Sequence, residues 1–198
     1  MKRNQHAPRI LGGRYRGRAL HVPPGLATRP LRALARRSLF DILRVGIPGC
    51  RFLDLFAGAG TVGLEAASLG AGRVVLVERQ RAALAALERS VHAFDASGLV
   101  RIVPMDVSAF VRQEVTEPFD IIFLGPPYAL YEGSERELLD GVLDRVRAWL
   151  APRGTLVLEH PARLQQPTVS ALTLVESRTY SETCLSFFRV PGGQIPQG

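Results

Sequence analysis

Lysine is almost missing from this 198-residue chain: Lys2 stands alone beside 24 arginines. Cationic contacts therefore fall to guanidinium groups, which are planar, permanently charged and matched to the fork of a phosphate or carboxylate. Cysteine is also scarce. Cys50 and Cys184 lie far apart without metal-ligand or redox spacing, which argues against a disulfide framework and for two reduced structural thiols. His21, His92 and His160 show no mutual spacing that would hold a metal, so they read as surface or structural residues and no metal is expected. No apolar run reaches the roughly 18 residues that a bilayer span needs. The opening Met1-Lys2-Arg3-Asn4-Gln5-His6-Ala7-Pro8 lacks the apolar core of a signal peptide. A cytoplasmic protein without membrane contacts is expected.

What is present is a well-cored α/β composition, 46% hydrophobic, in a length that suits one domain with a small appendage. Nothing demands more than a monomer. The net charge of +7 is unevenly spread: residues 1–44 hold eleven basic residues against the single acid Asp41, a balance of +10, and the remainder carries −3. A basic front end beside a near-neutral body is the electrostatic footprint of a polyanion binder, nucleic acid first. Arginine bias explains which cation is used, not why the cations cluster.

The most informative stretch is Phe52-Leu53-Asp54-Leu55-Phe56-Ala57-Gly58-Ala59-Gly60-Thr61-Val62-Gly63. An apolar run, a turn with two glycines one residue apart, and then small and apolar residues at helical spacing read as strand, tight loop and helix. Glycine lets such a loop approach a ligand closely, and the helix start points N–H groups at it. Gly58, Gly60 and Gly63 also fit a dinucleotide pattern, but Asp54 would repel a pyrophosphate. A cation suits it better. S-adenosylmethionine has a sulfonium and an ammonium and no phosphate, so this cradle favours it over a nicotinamide dinucleotide.

Before the cradle, Arg9–Val22 predicts strands or a hairpin with Arg14, Arg16 and Arg18 on one face, a ribbon for phosphates. A helix is predicted to open at Thr28-Arg29-Pro30 and run to about Leu43, with Leu31, Leu34, Ser38, Leu39 and Ile42 on its apolar side. After the cradle, Val74–Glu78 is a buried parallel strand ending in an acid, placed to accept hydrogen bonds from ribose hydroxyls. A helix follows near Arg81–Phe94, and then a strand at Leu99–Val103. Asp106 beyond it could hold an adenine amine or simply cap the helix that starts at Val107. Phe119–Leu124 is the fourth strand and runs into Gly125-Pro126-Pro127-Tyr128, a stiff turn at the mouth of the site with an aromatic face for a flipped base. Ser134–Leu150 reads as a helix whose core stripe includes Trp149, Gly154–Glu159 as a fifth strand, and Leu172–Tyr180 with Thr183–Val190 as a closing antiparallel pair.

With the cradle, Glu78 and the Pro-Pro-Tyr turn in view, the chain resembles the RsmD-type methyltransferases over nearly its whole length. The likeness includes Arg9-Ile10-Leu11-Gly12-Gly13, Arg29-Pro30 before Ser38-Leu39-Phe40, Asp54 through Gly60, Glu159, and Tyr180 through Phe188. It implies a Rossmann-like fold, with a seven-stranded sheet and a reversed terminal hairpin, that uses S-adenosylmethionine to methylate the N2 amine of a guanine in 16S rRNA of the 30S subunit or its assembly intermediates. Residues 1–46 would form a basic RNA-contacting extension, 47–190 the methyltransferase domain and 191–198 a disordered tail. The donor would lie against Asp54, Phe56, Ala57, Gly58, Gly60, Glu78, Arg79, Asp106 and Val107, the catalytic turn would be Gly125, Pro126, Pro127 and Tyr128, and RNA would meet Arg9, Arg14, Arg16, Arg18, Arg29, Arg36 and Arg37. The sequence departs from the family at two places. Gly125 stands where the family has Asp or Asn, and Leu31, Ala33 and Arg37 replace a Thr, an Asp and a Glu. Two other functions fit the same residues: a catalytically impaired RNA-binding assembly factor, and an amino methyltransferase acting on adenine in DNA.

Overall fold

The computed structural model describes residues 7–23, 31, 33–164 and 167–191. Its centre is a seven-stranded sheet in the order β3-β2-β1-β4-β5-β7-β6. Strands β1 (Arg51–Leu55), β2 (Arg73–Glu78), β3 (Val100–Pro104), β4 (Phe119–Leu124) and β5 (Leu150–Pro161) run parallel, while β7 (Thr183–Arg189) lies antiparallel between β5 and β6 (Thr173–Tyr180). The apolar runs are continuous because the parallel strands are covered on both faces. The seven strands and the reversed last hairpin match the expected fold.

Period-two alternation divides the core. Phe52, Val74, Leu76, Ile121, Phe123 and Val157 face one layer with helices α1 (Ala33–Leu43), α2 (Thr61–Ser68) and α3 (Arg81–Ala93), and the alternate residues Leu53, Leu55, Val75, Val77, Ile122, Leu156 and Leu158 face α4 (Val107–Phe110) and α5 (Arg136–Val146). Trp149 packs in the second layer, stacked on Phe110 at 4.6 Å, so its expected structural role holds. Cys50 and Cys184 are buried free thiols. His160 is buried as well. Its Nδ1 lies 3.1 Å from the Pro161 carbonyl, which can only accept, so Nε2 takes the Ser186 hydroxyl at 2.9 Å. No helix among the described residues is long and apolar enough to cross a membrane.

Several boundaries move. The fifth strand starts at Leu150, so the helix expected through that residue breaks into α5 and a short 3₁₀ turn at Arg147–Trp149. The expected start of the first helix at Thr28-Arg29-Pro30 and the end of the tail, 192–198, lie outside the described residues. Leu34 was expected on the apolar side of α1, yet it is 70% exposed: the buried side runs through Ala35, Arg36, Leu39, Phe40 and Leu43. Nor does the front segment form a ribbon. A single antiparallel bridge, Arg9 with Ala19, closes a loop containing a 3₁₀ turn at Gly13–Tyr15. Gly13 and Gly17 turn the backbone through positive φ, and Tyr15 points inward, 5.2 Å from the Phe94 ring.

Helix α2 sits unusually close to the sheet. A Cβ on Gly63 would lie 2.1 Å from Leu76 Cδ2 and 3.2 Å from Asp54 Oδ2, and the glycine N–H donates to that oxygen at 2.9 Å. Gly141, by contrast, meets nothing within 4 Å on α5. Gly63→Ala should therefore lower stability by about 1–3 kcal/mol through overpacking, while Gly141→Ala should raise it by roughly 0.5–1 kcal/mol through helix propensity. Urea midpoints at unchanged m-value measure both. Equal effects would contradict this packing.

Candidate active site

The cradle is set by three positive φ angles at alternate residues, Phe56 at 66°, Gly58 at 56° and Gly60 at 77°. The Phe56 value is strained for a side chain, and such strain concentrates where a site fixes its backbone. Ala57 N–H donates to the Val77 carbonyl at 3.0 Å and Gly60 N–H to the Ala57 carbonyl at 2.8 Å, closing the turn onto the neighbouring strand. Glu78 straps this turn to its own. One carboxylate oxygen accepts from Gly58 N–H at 2.8 Å, the other from Arg79 and Gln80 N–H at 2.7 Å each.

Asp54 is 2% exposed and faces the same side of the sheet. Burial pushes its carboxyl up to about 8, with the negative charges of Glu78 and Glu159 acting in the same direction and the Gly63 N–H acting against them. A carboxyl raised in this way takes up its charge more readily when a cation comes near. Asp106 does two things at once. Its Oδ1 caps α4 through Ser108 N–H at 2.8 Å, and its Oδ2 pairs with Arg79 at 2.8 Å. Burial would raise it, but the Ser108 bonds and the Arg79 guanidinium hold it below the usual carboxylate range. The cap and a place at the site are thus compatible.

Gly125-Pro126-Pro127-Tyr128 leaves the end of β4. Tyr128 Oη lies 2.7 Å from Thr183 Oγ1, and its ring meets Tyr131 edge-on at 6.4 Å. These elements surround one cavity of about 570 Å³ at the carboxyl edge of the sheet. Asp54, Phe56, Ala57, Gly58, Glu78, Arg79, Asp106, Val107 and all four residues of the turn line it. Gly60 does not. It shapes the loop from behind, where a Cβ would meet Leu87 Cδ1 at 2.4 Å. Val22 and Leu31 bring the front segment to the same cavity.

The arginines separate into two groups. Arg9, Arg14, Arg16, Arg18 and Arg37 are exposed, with Arg18 lying 4.6 Å over the Phe94 ring and Arg14 5.6 Å over Tyr15. Arg36 is a correction. It is 2% exposed, pairs with buried Glu65 at 3.4 Å and donates to the Arg9 carbonyl at 2.5 Å. Burial lowers the arginine and raises the glutamate, outweighing their mutual attraction. Glu65 also accepts Leu11 and Gly12 N–H at 2.9 and 2.7 Å, so Arg36 fastens the front segment to α2 and is closed to RNA. Arg29 lies outside the described residues. Glu159, which the sequence links to the site through the family likeness alone, lines the cavity. It could have been given a role because it ends an apolar strand just as Glu78 does.

A doubly wound sheet with a reversed final hairpin, a glycine cradle after β1 and acids ending neighbouring strands define the Rossmann-like methyltransferase fold. The protein family described as "Conserved hypothetical protein 95" matches residues 8–189. The "Ribosomal RNA small subunit methyltransferase D" of Escherichia coli K12 is 34% identical over 177 residues, 86% of this chain and 85% of its own length. The chain belongs to this family, the RsmD-type methyltransferases. Among solved structures, the E. coli protein yhhF is 31% identical with a TM-score of 0.79 over 94% of this chain and 99% of its own. A hypothetical protein of Thermus thermophilus is 38% identical with a TM-score of 0.77 over 92% and 99%.

The Asp54 geometry has a sign. Its folded value of about 8 lies above the ordinary 3.8, so the native state holds a proton that the unfolded chain has released. That contribution to stability is complete below about pH 4 and is lost as pH rises through about 8. Compared by urea unfolding at pH 5 and pH 9 with no ligand added, the protein should lose stability relative to Asp54→Asn as pH rises. A difference independent of pH would contradict a buried, raised Asp54.

Proposed function

We propose that this protein uses S-adenosylmethionine to methylate the N2 amine of a guanine in the 16S rRNA of the small ribosomal subunit. The observation that carries the reading is that the glycine cradle, Glu78 and the Pro-Pro-Tyr turn border one cavity. Family membership supports methyl transfer, and the relative's name, with its ribosomal small subunit, supports the substrate. The residues fit the donor. The cavity's size is ordinary for a small-molecule site, Glu78 at the end of β2 suits ribose hydroxyls, and buried Asp54 suits a cation. When bound, the donor supplies a methyl group on a positively charged sulfur that an amine can displace.

The chain's own residues then do the positioning. Gly58, Gly60 and Glu78 fix the donor's cradle, Asp106 and Arg79 border its far end, and the prolines hold the turn rigid so that Tyr128 presents a face to an extruded base. Exposed Arg9, Arg14, Arg16, Arg18 and Arg37 form the phosphate-contacting front. Arg29, in the same segment, is assigned with them on sequence alone. The protein acts in the cytoplasm as a monomer, on a 30S particle or its assembly intermediate.

Calorimetry should detect S-adenosylmethionine binding, weakened roughly 10- to 150-fold by Glu78→Gln, because a charged acceptor is replaced by a neutral one. Tritiated methyl should enter 30S particles that lack the modification, and nuclease digestion should return it as N2-methylguanosine. Label in adenine of DNA selects the other amino methyltransferase, and donor binding without transfer selects an assembly factor. No donor binding removes both methyltransferase readings. On RNA, Arg14→Ala with Arg16→Ala and Arg37→Ala should flatten the slope of log affinity against log salt by about 2, roughly 0.7 per lost phosphate contact. An unchanged slope would place the RNA elsewhere.

A further inference from the structure

We propose that Glu159 is a catalytic residue that accepts a hydrogen bond from the substrate's amine at the end of β4, where the chain itself offers no side chain. The proposal rests on the methyl-transfer reading above.

Strand register carries the first part. Phe123 of β4 is paired with Val157 of β5, so two residues further on, period-two alternation sets Gly125 and Glu159 side by side on the face that holds Asp54. The distances agree. A Cβ on Gly125 would stand 3.2 Å from Glu159 Oε2 and 2.8 Å from Phe123 Cε1. The carboxylate of Glu159 therefore borders the corner that a side chain at 125 would fill, and both residues line the cavity beside Pro126 and Tyr128. The backbone beneath it is held firmly. Glu159 is paired with Leu185 of β7, and its carbonyl accepts the Tyr131 hydroxyl at 2.6 Å. Burial raises both Asp54 and Tyr131, and the charge of Glu159 adds to each.

Asp54 accepts from Gly63 at the start of α2, Glu78 from three cradle N–H groups, and Asp106 from Ser108 and Arg79. Glu159, two residues before the end of β5, is the one of these four acids beside the Pro-Pro-Tyr turn.

An aromatic amine is a poor nucleophile because its lone pair is spread into the ring. Donating one N–H to a carboxylate returns electron density to the nitrogen and turns the lone pair towards the methyl. In the transfer, the new nitrogen–carbon bond forms as the sulfur–carbon bond breaks. The sulfonium becomes a neutral thioether, and the nitrogen, positively charged for the moment, passes a proton to Glu159 and from there to water. Gly125 is then the residue that leaves room for this carboxylate. An aspartate there would bring two negative groups together.

The test is a double-mutant cycle of Glu159→Gln and Gly125→Asp, reading single-turnover methyl transfer to 30S particles lacking the modification, with donor affinity by calorimetry alongside. At saturating donor, Glu159→Gln should slow transfer about 10²–10³-fold, the typical loss of one preorganised polar partner, a fall in the chemical step that any change in donor affinity does not account for. Gly125→Asp should slow the chain as written but speed Glu159→Gln. The Phe123 collision is common to both backgrounds, so the reversal isolates the carboxylates. A readout without turnover accompanies it. Raising the pH from 4 to 8 should lower the urea midpoint of Gly125→Asp relative to Gly125→Asn, and Glu159→Gln should abolish that fall. Transfer by Glu159→Gln at the rate of the unaltered chain overturns the proposal and leaves the proposed function standing. Donor binding with no transfer by the unaltered chain overturns the proposed function and this inference with it.

Discussion

The contact between Asp54 and the first turns of α2 is the constraint on which the rest of the molecule depends. It exists because Gly63 has no Cβ, which lets the helix settle against Leu76 and donate an N–H to a buried carboxylate. Seated there, α2 offers Glu65 and Ser68 to the front segment. Glu65 takes the Leu11 and Gly12 amides and Arg36, and the Ser68 hydroxyl accepts Tyr15 N–H and donates to the Gly12 carbonyl. The same seating fixes the loop before the helix, which Glu78 ties to β2. One close approach thus aligns the cavity floor and the basic entrance together.

The acids of the site come from the strand ends, and the front segment reaches the same cavity through Val22 and Leu31. Asp54, Glu78 and Glu159 leave three parallel strands on one face, with Gly125 between them on the fourth. Burial of Asp54, with the charges of Glu78 and Glu159 acting in the same direction, raises its carboxyl. A floor of buried acids favours a positively charged small molecule over a phosphate.

Much of this was legible in the sequence, for reasons that differ by residue. Glu78 and the Gly58–Gly60 turn were readable because a buried parallel strand must be an unbroken apolar run, and whatever ends it stands at the ligand edge. Trp149 was readable as core because it continued a helical stripe. Arg36 was not, because only the fold reveals a buried acid on α2 waiting for it. Spacing alone could not tell a phosphate contact from a clasp. The arginine ribbon failed for a similar reason: period-two arginines predict a strand, but Gly13 and Gly17 turned the chain and Tyr15 went inward. Leu34 shows the limit of stripe reading in a short helix, where a shift of one residue moved the buried side to Ala35 and Arg36.

The central claim is that the carboxyl edge of the sheet holds a cationic methyl donor facing the Pro-Pro-Tyr turn. Co-crystallisation with S-adenosylhomocysteine tests it most directly. The account predicts ribose hydroxyls on the Glu78 carboxylate and the sulfur directed at Pro126 and Tyr128. A ligand seated away from the Gly58–Gly60 turn, or one whose sulfur faces α3 instead, would contradict it.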